Sequence, residues 1–220
     1  MKKTIGLICI FTAILLAAPA HATSVEDDTL ISNQMGNLGI STQNQQTILE
    51  NIHAGILPLS ENSTNTPVST ITSSDSSFAI TTNYYADGSA NQTKVALPAN
   101  PLLRASVSGC KQAAYTGYTK YTSCSVYRAT VLVTQSFLAD FTIYGGINND
   151  KVTKVASPAF TCLVGACSNL SLTIPDPSET SSHPANGSMQ MIYTAFSGFA
   201  SATYSLDLFV GSNKYWAVEG

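Results

Sequence analysis

The sequence predicts an all-β fold: a disulfide-stapled β-sandwich of Ig-like or jelly-roll type, preceded by short N-terminal helices and a Ser/Thr-rich linker. Three observations carry this expectation. From Phe78 onward, short runs of strand-forming residues alternate with turn residues, the spacing of a sandwich. Past residue 22 the cysteines are Cys110, Cys124, Cys162 and Cys167, an even set that suits a disulfide framework in an exported protein. Charged residues make up only 10% of the chain, against about 25% in ordinary soluble domains. The surface must therefore be built from Ser, Thr, Asn, Gln and Tyr, as on many exported β proteins.

The elements follow in order. Residues 1–22 begin Lys2-Lys3, continue through an apolar run and end Pro19-Ala20-His21-Ala22. A basic start, an apolar middle and a small-residue end form a secretory signal peptide of bacterial type. The apolar run is short of the roughly 20 residues a spanning helix needs. No later stretch approaches that length, so no integral membrane segment is expected after signal cleavage.

Residues 23–58 read as a short helical arm. Thr42 followed by Gln45 suggests a capping box. Ile48, Leu49 and Ile52 share a helical face, and Gly55 is placed to end the helix. Such short helices are marginal alone and need a partner surface. Residues 59–77 are nearly all small and polar, the composition of a flexible linker.

Residues 78–220 hold the sandwich domain. Phe78–Tyr85 is rich in strand formers and stops at Asp87-Gly88. Ser123–Thr134 is apolar on both faces, as a covered central strand would be. Further runs lie at Phe137–Ile143, Val152–Val155, Phe160–Val164, Asn169–Ile174, Met189–Phe196, Ala200–Val210 and Tyr215–Val218. Gly211-Ser212-Asn213 marks a hairpin between the last two.

Closeness in sequence favours the pairs Cys110–Cys124 and Cys162–Cys167, each around a turn. A zinc site would want pairs two to four residues apart, usually with His. A redox dithiol would want Cys-x-x-Cys. Neither spacing occurs, and no cofactor or metal is expected.

Function is less legible. Of the 10 basic residues two lie in the leader, and the other eight are scattered among 13 acidic ones. That balance has no electrostatic footprint for nucleic acid. His53 stands three residues after Glu50, but a carboxylate-bridged metal site would need a second such motif. Asp140, Asp207 and His183 are the residues a cryptic hydrolase would use, yet no nucleophile elbow accompanies them. The two aspartates are expected to face solvent or to pair with Arg104 or Arg128. No catalytic residue is assigned.

The candidate recognition residues are Tyr115, Tyr118 and Tyr121, with Lys120, inside the Cys110–Cys124 segment. Tyrosine gives large contact area at low entropic cost. The reading is a non-enzymatic periplasmic or extracellular protein that contacts a protein partner, or itself, in the cell envelope, with a secretion or adhesion assembly as the expected setting. A carbohydrate-binding module using tyrosines and Trp216 is the alternative.

Overall fold

The computed structural model describes residues 25–98, 110–146, 148–195 and 201–219. The signal segment 1–22 and Arg104 lie outside the described residues. The described residues form two antiparallel sheets, with two α-helices at their N-terminal end.

The helices are α1 (Val25–Asn37) and α2 (Thr42–His53). The N-cap of α2 is Ser41, one residue before the expected Thr42, and its side chain accepts the Asn44 N–H. Gln45 turns instead to the Ile40 carbonyl at 2.8 Å. At the other end Gly55 takes φ +80°, and its N–H reaches the Ile52 carbonyl. His53 meets Asp28 of α1 at 2.8 Å, rather than Glu50. The pair is not a free arm. Ile31, Met35, Leu38, Ile48 and Ile52 are buried in one cluster with Val131, Leu132, Tyr193 and Tyr204. That contact supplies the apolar partner that two short helices require.

Residues 59–77, expected as a flexible linker, hold a 3-10 turn at Leu59–Glu61 and a strand, β1 (Ser69–Ser74). Composition misled here for a physical reason. Ser60 and Glu61 are buried, and β1 is held by its backbone ladder to β2, which needs no apolar side chains.

The seven-stranded sheet contains β1, β2 (Phe78–Tyr84), β3 (Ala90–Ala96), β4 (Lys111–Tyr115), β5 (Tyr118–Ala129), β6 (Val133–Tyr144) and β7 (Lys151–Cys162). Strands β3 and β4 both pair with β5, β3 along Val126–Ala129 and β4 along Tyr118–Thr122. The four-stranded sheet has the order β11 (Lys214–Glu219), β10 (Ser201–Gly211), β9 (Ala185–Thr194) and β8 (Ala166–Asp176). Phe137 and Phe141 from the first sheet pack with Met189, Leu206, Leu208 and Val210 from the second. This is the sandwich core.

Three expected boundaries shift. The Ser123–Thr134 run is not one strand: the chain turns at Thr130–Leu132, where the Thr130 N–H bonds the Val133 carbonyl. The runs Val152–Val155 and Phe160–Val164 join into β7, with a register shift near Ser157, whose φ is 53°. The Cys110–Cys124 segment is a hairpin, β4–β5, rather than a loop.

Both expected disulfides are present. Cys162–Cys167 ties β7 of one sheet to β8 of the other across a tight turn. Gly165 in that turn has φ +92°, and a Cβ there would collide with the Thr194 carbonyl oxygen, so only glycine fits. In the chain-entropy model, replacing both cysteines of this pair by serine costs about 2 kcal/mol, and the Cys110/Cys124 double replacement about 3 kcal/mol. Urea unfolding of the two double variants measures this. Equal losses would contradict the loop-length dependence.

Candidate recognition surface

The β4–β5 hairpin turns at Thr116-Gly117, with Gly117 at φ +86°. Its base is fastened by Cys110–Cys124. A register shift between Tyr121 and Cys124 marks a bulge in β5, with Ser123 at φ 55°. The Ser123 N–H donates to the Asp140 carboxylate at 2.7 Å. Asp140 therefore serves this bulge.

The hairpin divides the three tyrosines. Tyr118 and Tyr121 are three apart on one strand, so they point to opposite faces. Tyr121 turns into the core, stacked on Phe141 at 4.7 Å and beside Tyr215 at 5.4 Å. Burial raises the pKa of the Tyr121 hydroxyl. For Tyr215, burial and then the neighbouring Tyr121 push it up to about 12. Tyr121 is thus a packing residue.

Tyr115 and Tyr118 face outward. They are direct cross-strand partners, and Tyr118 is in turn opposite Tyr144 of β6. The ring centroids are 4.8 Å apart for Tyr115–Tyr118 and 5.6 Å for Tyr118–Tyr144. Cross-strand aromatic pairs of this kind stabilise a sheet edge. Here they also form a ladder on the outer face, with Tyr115 54% accessible and Tyr118 and Tyr144 half-buried. The Lys151 ammonium lies 5.8 Å from the Tyr144 ring centre.

Sequence reasoning missed Tyr144 and Lys151. The available signal was alternation: Tyr144, Thr142 and Asp140 share a face of β6, and each has a strand partner on that face. Lys120 opposes Thr142, which in turn opposes Lys151. Lys120 is exposed.

The ring planes of this ladder are turned toward one another. Tyr115 and Tyr118 are within 16° of parallel, so the face of Tyr118 is covered by its neighbours. The ladder presents ring edges and hydroxyls, which suits hydrogen bonding and side-chain packing better than stacking on a flat sugar ring. Trp216 lies elsewhere, on β11, 5.8 Å from the Phe209 ring. It borders a cleft of about 180 Å³ shared with Asn148, Glu179, His183 and Ser212.

The three residues considered for hydrolysis serve separate structures. Asp140 is in the seven-stranded sheet at the β5 bulge. Asp207 is on β10 of the other sheet and accepts the Ser205 hydroxyl at 2.7 Å. His183 is in the β8–β9 loop, with Nδ1 3.4 Å from the Pro184 carbonyl. Arg128 pairs with neither aspartate: its partner is Glu219, at 3.1 Å. Among the described residues no group of three or more His, Cys, Asp or Glu could hold a metal ion. No described helix is long and apolar enough to cross a membrane.

No protein-family model matches the sequence, and comparison with curated proteins and with solved structures finds no significant match.

Proposed function

We propose that the chain is an exported, non-catalytic recognition protein of the cell envelope or exterior, which holds a partner protein through the outer face of its seven-stranded sheet. The observation that carries this reading is the outward-facing Tyr115–Tyr118–Tyr144 ladder, fastened by a disulfide and backed by the Tyr121–Phe141 stack. A rigid aromatic row loses little side-chain entropy when a partner covers it. Export is supported by the leader pattern of residues 1–22 and by two disulfides, which persist in oxidising compartments.

The test is site-specific photo-crosslinking in the producing cell. A benzophenone amino acid at Tyr115 is expected to give a discrete protein adduct, whereas the same group at Leu170 on β8 gives none. No adduct from position 115, or equal adducts from both, would overturn the reading. Sedimentation of the purified protein separates a foreign partner from a second copy.

A carbohydrate reading is favoured only at the Trp216 cleft, where an exposed indole meets Asn and Ser side chains. A glycan array with the native protein and Trp216→Ala decides it. Binding lost in the variant supports a sugar site, and no binding by the native chain removes it.

A further inference from the structure

We infer that this outer face is a docking strip for an extended, acidic segment of a partner protein, a step that rests on the recognition reading above. The register of the strands places Lys94, Lys111, Lys120, Lys151 and Lys154 on one side of the sheet. Lys94 opposes Tyr127, which opposes Ser136 of β6. Lys111 opposes Thr122, on the Tyr118 face of β5. Lys120 and Lys151 flank Thr142, and Lys154 opposes Asp140. Ser136, Asp140, Thr142 and Tyr144 are an even number of residues apart on β6, so they share a face. All five ammonium groups therefore project from one surface, although the chain as a whole carries a net charge of −3.

Among the described strand residues of that face Asp140 is the lone carboxylate, and it is already engaged by the Ser123 N–H. At the rim of this face, Asp75 of the β1–β2 turn lies close enough to Lys94 to feel its charge, and the Ser77 and Phe78 N–H groups already occupy its carboxylate. Other acidic residues are not on the strands of this face. Asp27, Asp28 and Glu50 are on the helices. Glu61, Asp150 and Glu179 are buried. Charge complementarity thus asks for an acidic partner.

Shape narrows it further. Ser136 to Tyr144 spans about 27 Å at 3.4 Å per residue, the reach of roughly eight extended residues. At the Lys94 end Phe78, Lys94, Ser125 and Tyr127 line a shallow hollow of about 230 Å³, room for one apolar side chain. At the other end stands the tyrosine ladder, whose hydroxyls can donate to carboxylates. The partner segment is therefore acidic, with an apolar anchor.

The experiment uses the purified secreted chain and a fluorescein-labelled peptide of about twelve residues, alternating glutamate and glycine around one phenylalanine. A glutamine-for-glutamate peptide is the neutral control. Fluorescence anisotropy is expected to show saturable binding of the acidic peptide only, weakened on raising NaCl from about 50 to about 300 mM. The double variant K120E/K151E should bind at least about tenfold more weakly, while K214E, at the start of β11 in the other sheet, stays within about twofold. Circular dichroism melting checks that both variants are folded.

Equal binding of the neutral peptide, or equal loss in K214E, overturns the inference. So does binding of vesicles of phosphatidylglycerol and phosphatidylcholine, or of heparin, where the acidic peptide fails. A crosslink from Tyr115 without acidic-peptide binding would sink this inference and leave the recognition reading standing. Peptide binding without any crosslink in the cell would overturn the recognition reading and the partner inferred from it, leaving only the charge selectivity of the face.

Discussion

Replacing Arg128 by alanine is expected to cost about 3 kcal/mol, because it strands a carboxylate, that of Glu219, whose side chain is only 13% exposed. Arg128 is 1% exposed. Its Nε is 3.1 Å from Glu219 Oε2, one Nη donates to the Ser205 carbonyl at 3.2 Å, and its guanidinium lies 4.8 Å from the Tyr204 ring centre. It joins β5 of one sheet to β10 and β11 of the other. Glu219 Oε1 also accepts from Asn91 at 2.6 Å. The Tyr85 hydroxyl reaches the same oxygen at 3.4 Å. Burial and then the Glu219 charge push that hydroxyl up to about 12, which keeps it a donor at neutral pH.

Without Arg128 these donors hold Glu219 in place but cannot neutralise it. Urea unfolding of R128A and of R128A/E219Q separates the two contributions. The double variant should regain part of the loss, since it removes the unpaired charge. A loss below about 1 kcal/mol in R128A would show that water reaches Glu219 and that the pair is not a buried one.

Glu61 is the second large expectation, and its signature is a dependence on pH. Its carboxylate is 2% exposed. It accepts from the Thr130 and Tyr204 hydroxyls at 2.7 Å each and from the Leu132 N–H at 3.0 Å. Burial raises its pKa above the ordinary 4.5, and these three donors and the Arg128 charge only partly oppose that. The native state therefore holds the proton more tightly than the unfolded chain. Below the ordinary value both states are protonated, and the full stability is present. As pH rises from there through the folded value, stability is lost.

Glu61→Gln keeps the shape and removes the titration. Relative to this variant, the native chain should be most stable near pH 4 and lose that advantage toward neutrality. Comparing the two chains cancels groups they share, Asp150 among them. A pH-independent difference would contradict the raised pKa. Glu61→Ala should cost about 3 kcal/mol, because the Leu132 N–H and two hydroxyls lose their acceptor while buried.

Neither residue was legible in the sequence. Arg128 entered only as one of two arginines that Asp140 or Asp207 would pair with if they did not face solvent. Its real partner comes from the last strand, brought opposite β5 by the packing of the two sheets. Glu61 sits in a stretch with the composition of a tether. Its hydroxyl donor Tyr204 is 143 residues away, and no local pattern announces that meeting.

The proposed recognition surface was half legible. Tyr115, Tyr118 and Lys120 could be singled out because they recur inside one cysteine-bounded segment. Tyr121 was grouped with them by its spacing, yet strand geometry sends it to the other face. Tyr144 and the lysines of β3, β6-facing β7 and β4 are scattered in sequence, and their common surface is a product of strand register.

Residue order by itself determined the all-β class, the two disulfide pairs, the Gly55 helix end and the Gly211-Ser212-Asn213 hairpin. These depend on neighbours a few residues apart: alternation, turn conformations and short loop closures. Only the tertiary structure decided that the helices and residues 59–77 belong to the folded body, that Tyr121 is core, and that lysines scattered along an acidic chain share one face. Those outcomes depend on which strand lies beside which, and in which register. Each is set by long-range burial, whose free energy is absent from any local stretch of the chain.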